Sequence, residues 1–115
     1  MALNLLNMFG LRKDGTKKGM GYFGELPSKG GISTELSIGI ELDGKETEIP
    51  LLNPSLDLIE IVHLLEGNKP TKSIINKSVN FAKNRIKSGL SPFASGKERL
   101  PLPVSGLQGL LRGRQ

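Results

Sequence analysis

From Ile32 to Ile49 apolar and polar positions alternate along the chain. Leu36, Ile38, Ile40 and Leu42 take every second place with Glu35, Ser37, Gly39 and Glu41 between them, the period of a strand with one buried face. Asp43-Gly44 is a type I′ turn signal, after which Lys45, Glu46, Thr47, Glu48 and Ile49 return as a second strand. A two-residue turn sets Ile38 opposite Ile49 and Ile40 opposite Thr47 on the buried side. It sets Glu41 opposite Glu46 on the other side, flanked by Glu35 and Glu48, where like charges repel unless water or a basic surface meets them. Pro50, with no N–H to give the ladder, ends the strand.

The period then changes to that of a helix. Leu58, Ile61, Val62 and Leu65 share one face, which predicts a helix from Leu56 to Glu66 with Ser55 as N-cap and Gly67 as stop. A second helix starts after Thr71 and stops at Gly89; Ile75, Val79, Ala82 and Ile86 form its stripe, with Ile74 and Phe81 widening it. Lys72, Lys83 and Lys87 fall together on the opposite face. The short link from Gly67 to Pro70 makes the pair antiparallel, and their apolar faces can cover the strands. The predicted fold is α+β: a β-hairpin packed on an antiparallel two-helix hairpin.

Neither flank has a period. Gly10, Gly15, Gly19, Gly21, Gly24, Gly30 and Gly31, with Pro27, exclude a regular helix and shorten any strand; Tyr22 and Phe23 are the point where this segment docks on the core. Beyond Gly89, Ser91-Pro92-Phe93-Ala94 reads as a docking turn, and Leu100-Pro101-Leu102-Pro103-Val104 is extended because each Leu precedes a proline. The organisation is a basic, glycine-rich N-terminal arm (1–31), a ββαα core (32–90) and an extended C-terminal tail (91–115). Apolar residues on segments without a core of their own need a surface elsewhere. Leu100, Leu102, Val104, Leu107, Leu110 and Leu111 in the tail, and Leu5, Leu6 and Phe9 at the other end, are the candidates for docking into a partner's groove or sheet edge.

At 115 residues the chain holds one domain. With no cysteine there is neither a disulfide framework nor a thiolate metal site, which suits a reducing cytosol. The apolar stretch Met1–Phe9 lacks a basic leader and is too short for a membrane span, so no membrane partner is expected. One Tyr, four Phe and no Trp make stacking on bases an unpromising mode of nucleic-acid contact.

The net charge of +5 hides a segregation. Residues 1–30 carry five basic residues against two acids, 31–69 carry two against eight, and 70–115 carry nine against one. This pattern favours head-to-tail association, an acidic partner such as nucleic acid at the ends, or neutralisation within the chain. The residues placed to meet phosphate are Lys72, Lys83, Lys87, Arg112 and Arg114; the acidic pair placed to meet a basic neighbour is Glu41 and Glu46.

Motifs of catalysis are weak. Gly19-Met20-Gly21-Tyr22-Phe23-Gly24 has the letters of a dinucleotide fingerprint, but no strand precedes it, and Pro27 with Gly30-Gly31 prevents the helix that would hold a pyrophosphate. His63 is the single histidine, offset from its helix's main stripe, and reads as a surface or boundary residue. Glu41, Glu46 and Glu48 lie on a flat two-stranded face without the cleft that paired-carboxylate chemistry needs. No catalytic, cofactor-binding or metal-ligating set is assigned, and a non-enzymatic role is expected.

Several stretches taken together resemble a small domain encoded widely in tailed-bacteriophage genomes. They are Gly19–Gly24, Ser33–Ile40, Gly44–Pro54, Lys69-Pro70, the Lys-, Asn- and Arg-rich second helix and Ser91–Ala94. Members of that family occur alone and as modules of very large internal or ejected virion proteins, some of which also carry lytic transglycosylase domains. Its usual helix cap is Thr with an acid three residues on; here Ser55 is followed by Leu58, so that capping box is missing. The resemblance implies a phage particle or its ejection apparatus without fixing a capsid, portal, tail or internal position, and the expectation drawn from it is a minor or multi-copy structural component, assembled in the bacterial cytoplasm with other virion proteins as partners. It also admits an internal, DNA-associated or ejected protein, or an accessory module of a lytic ejection protein. It brings no catalytic residue and no cofactor.

Overall fold

The computed structural model describes residues 19–95 and 98–103. In order these form β1 (Leu26–Ser28), β2 (Gly31–Ser33), β3 (Ser37–Leu42), β4 (Lys45–Pro50), α1 (Leu58–Leu65) and α2 (Lys72–Lys87), an α+β arrangement of two antiparallel hairpins and two helices. The β3–β4 register is the expected one: Ile38 pairs with Ile49, Ile40 with Thr47 and Glu41 with Glu46. Asp43 and Gly44 both have positive φ, +50° and +79°, as a type I′ turn requires.

A second hairpin, β1–β2, lies inside the segment read as an arm. Its strands are three residues each, as short as the glycine content dictates, and pair Leu26 with Ser33 and Ser28 with Gly31. The Lys29 N–H bonds the Leu65 carbonyl at 2.7 Å, so this hairpin is pinned to the end of α1. Tyr22, Phe23 and Leu26 are buried in one cluster with Leu51, Leu52, Leu56, Ile61, Leu64 and Ile74. The folded body therefore reaches N-terminal of Ile32, and α1 lies on β1 while α2 lies on β4.

Helix α1 starts two residues later than its sequence suggests. Asp57 is the N-cap: its carboxylate accepts the Glu60 N–H at 2.8 Å, while the Glu60 carboxylate accepts the Asp57 N–H at 3.0 Å, so a capping box is present after all. Ser55 is not the cap; its N–H and hydroxyl both donate to the Asn53 side-chain oxygen. Leu56 just before the cap and Ile61 four residues into the helix are both buried in the core, the positions of a hydrophobic staple. Thr71 caps α2 as expected, accepting the Ile74 N–H at 3.1 Å. Gly67 and Gly89, at φ +85° and +79°, end the two helices, each with the paired backbone bonds of a Schellman motif.

The buried line of α2 is not the predicted stripe. Ile74, Ser78 and Ala82 are buried, Ile75 and Val79 are half-buried, and Ile86 is exposed. Ser78 takes a core position because Asn53, itself fully buried, donates to its hydroxyl at 3.0 Å. On α1 the inward residues are Ile61 and Leu64, so Val62, expected inside, faces out.

Candidate interaction surfaces

Three surfaces and one internal clasp hold most of the described positions singled out in the sequence. The first surface is apolar. Val62 and Leu65 of α1 face Pro27 and Ser28 of β1 across a groove of about 570 Å³, with Lys29 and Glu66 at its rim. A second groove of about 290 Å³ continues along α1 over Leu58, Ile59, Val62, His63 and Glu66. Ile59 is 75 % exposed, Val62 43 %, and Ile32, the cross-strand partner of Pro27, 64 %. Isolated exposed apolar residues are ordinary, but these lie together on α1 and the neighbouring hairpin. The sequence reading missed this surface; the one available signal was Ile59, an isoleucine one step off the predicted stripe.

The second surface is the acidic side of β3–β4. Glu41 and Glu46 are exposed and directly opposed, as expected, and Glu48 accepts a hydrogen bond from the Ser37 hydroxyl. Glu35 is not a flank of this face. It precedes β3, is buried, and its carboxylate accepts the Gly19 N–H at 2.9 Å. Ser91, Pro92 and Phe93 wall the face, leaving a groove of about 430 Å³ floored by Gly39 and bordered by Glu46 and Glu48.

The third surface is basic. Lys83 and Lys87 of α2 line a groove of about 570 Å³ with Ile86 and with Leu42, Asp43, Lys45 and Thr47 of the β-hairpin tip. Lys72 lies on the same side of α2, one end of a face that also carries exposed Asn76 and Asn80. Lys45 had not been grouped with these lysines, although its register opposite Leu42 places it on the side of the sheet that meets α2.

The clasp joins both flanks to the core. Arg85 makes a two-pronged ion pair with Glu98, one prong at 2.7 Å, and also donates to the carbonyls of Ser91 and Phe93 at 2.7 and 3.0 Å. Its guanidinium lies 5.6 Å from the ring centre of Tyr22, which meets Phe81 edge-on at 5.3 Å and donates its hydroxyl to the Pro92 carbonyl at 2.7 Å. Burial pushes the Tyr22 phenol up to about 12, against the pull of the Arg85 charge. The Arg85 hydrogen bonds hold the Glu98 carboxyl down at about 2. The Leu100 N–H bonds the Tyr22 carbonyl at 2.7 Å, and Leu102 packs against the core cluster while Leu100 remains 43 % exposed. Leu102, expected to reach a partner, thus spends part of its surface on its own chain. The other expected partner contacts, Leu5, Leu6, Phe9, Val104, Leu107, Leu110 and Leu111, and the basic Arg112 and Arg114, lie outside the described residues.

The glycines of Gly19–Gly24 have a structural use. Gly21, at φ +70°, lies so close to the Thr34 backbone that a Cβ would fall 2.0 Å from its carbonyl oxygen. The segment leads into β1 rather than into a helix N-terminus, so it lacks the cradle a pyrophosphate needs. His63 holds the Lys69 carbonyl at 2.7 Å across the α1–α2 link. Among the described residues no three His, Asp or Glu side chains gather as a metal-ligand set, and no helix is long and apolar enough to cross a membrane. No family model, no curated protein and no solved structure matches this chain.

Proposed function

We propose that the protein is a non-enzymatic structural component of a tailed-phage virion, assembled in the bacterial cytoplasm, that binds neighbouring virion proteins through its apolar outer segments and the α1 face. The supporting observation is the exposed set Ile32, Ile59 and Val62 around the α1 and β1–β2 grooves. Such a patch costs solubility unless something covers it. The leucines near both ends of the sequence are the same kind of apolar side chain, suited to lie in a neighbour's groove as these grooves suit a neighbour's segment. The tailed-phage setting rests on the sequence resemblance alone.

The test is incorporation. Mass spectrometry of purified particles of the encoding phage should find the chain, and its absence would end the proposal. An Ile59→Glu/Val62→Glu double variant should remain folded, because both side chains already face solvent, yet be depleted from particles at least tenfold. Undiminished incorporation of a folded double variant would remove the α1 face from the reading.

A further inference from the structure

We propose that the lysine face of α2, extended by Lys45 at the β-hairpin tip, binds the phosphate backbone of nucleic acid without regard to sequence. At 3.6 residues per turn Lys72, Lys83 and Lys87 fall within an arc of about 60°, facing away from the buried line Ile74–Ser78–Ala82. They span about 22 Å of helix, the axial length of about six phosphates on one strand of a duplex. Lys45 joins Lys83 and Lys87 at the same groove.

The ordinary explanation is a solvated helix face, and the ion pairs argue against it. A solvated face usually mixes signs, with acids spaced to pair with the lysines. Helix α2 contains no Asp or Glu at all. Of its five cations, Lys77 is paired with Glu60 at 2.7 Å and Arg85 with Glu98, each by a carboxylate from another segment. Lys72, Lys83 and Lys87, and Lys45 beside them, form no ion pair among the described residues. The described residues supply partners to the two cations off this face and none to those on it.

The remaining side chains point the same way. Between the lysines the exposed face carries Asn76 and Asn80, with Asn84 at its border, whose amides donate to phosphate oxygens as readily as to water. Asp43, in the turn, is the one carboxylate lining the groove. Lys72 occupies the first turn of α2, where the helix dipole is already positive and a further cation raises the attraction for anions. Asn amides can also meet base edges, but no recognition motif accompanies this face, so affinity should come chiefly from charge.

Fluorescence anisotropy of a labelled, mixed-sequence duplex with the full-length protein tests this. Four phosphate contacts predict a log–log salt slope of about −3.6, or a loss of affinity on the order of 10²-fold between 50 and 200 mM salt. Duplexes of different sequence should bind within about threefold of one another. The Lys45→Gln/Lys72→Gln/Lys83→Gln/Lys87→Gln variant, whose circular dichroism should match the parent because all four side chains are exposed, should lose most binding and most of the salt slope. Three outcomes overturn the proposal: no binding at 25 mM salt; binding by the folded quadruple variant equal to the parent's, which would assign it to the outer basic residues; and tighter binding to vesicles of anionic phospholipid than to DNA at equal charge.

Discussion

The side-chain amide of Asn53 has two hydrogens and three acceptors around them: the Pro50 and Leu51 carbonyls at 3.2 and 3.0 Å and the Ser78 hydroxyl at 3.0 Å. Its oxygen accepts from the Ser55 N–H and hydroxyl, so one buried residue satisfies the chain where β4 gives way to the helices and fastens that turn to α2. Asn53→Ala takes a buried donor away from the Ser78 hydroxyl and the Pro50 and Leu51 carbonyls, at a cost of about 1–3 kcal/mol. The urea midpoint should fall accordingly with an unchanged slope; an unshifted midpoint would mean the network is dispensable. Gly21 is a second residue whose identity is dictated by a neighbour, the Thr34 carbonyl, which leaves no room for a side chain.

Among the elements, α1 shows how a start signal can be read two residues too early. Ser55 and Asp57 are both good caps by type, and the apolar spacing from Leu56 onward points to Ser55. The Asp57-to-Glu60 spacing is a capping-box signature in the sequence itself, and the structure adds that Ser55 is bonded to Asn53 instead. Asp57→Ala should cost about 0.5–2 kcal/mol, by loss of a cap, and Ser55→Ala should leave the capping bonds in place. Thermal unfolding of the two variants, with helicity followed by circular dichroism, separates them. Glu60 does more than complete the box: it also accepts from Ser73 at 3.2 Å and pairs with Lys77, tying α1 to α2. Burial would raise its carboxyl, but the Lys77 and Asp57 hydrogen bonds and the Lys77 charge hold it below the ordinary value.

For the molecule as a whole the Tyr22–Arg85–Glu98 clasp decides how the flanks are held. A carboxyl lowered from 4.5 to about 2 in the folded state stabilises that state above the ordinary carboxylate range, and the contribution disappears as pH falls from 4.5 towards 2. Tyr22 is the single tyrosine and the chain has no tryptophan, so intrinsic fluorescence reports this clasp directly. Emission should change within that acid window as Glu98 releases Arg85, and Glu98→Gln should abolish the transition while leaving the fluorescence flat from pH 7 to 5. A transition of unchanged midpoint in Glu98→Gln would assign the event to another carboxylate. The same clasp explains why 91–103 is only partly an arm: Phe93 is buried, Leu102 rests on the core, and Leu100 is hydrogen-bonded to Tyr22.

What the sequence determined alone is local and periodic. The β3–β4 register follows from a period of two and a two-residue turn, and the helix ends follow from glycines that adopt positive φ without strain, so each can be read within a few residues of itself. The three lysines of α2 share a face for the same reason. What the tertiary structure decided depends on groups distant in the chain. Ser78 is a core residue because Asn53 reaches it, which turns α2 away from its most apolar stripe and leaves Ile86 outside. Val62 stays partly exposed at the open groove between α1 and β1, while Ile61 and Leu64 turn inward, and β1 is a strand hidden in a glycine-rich stretch with no readable alternation. Which lysines lack an ion pair among the described residues was settled by where Glu60 and Glu98 come to rest, and pairing across the fold has no period from which it could have been read.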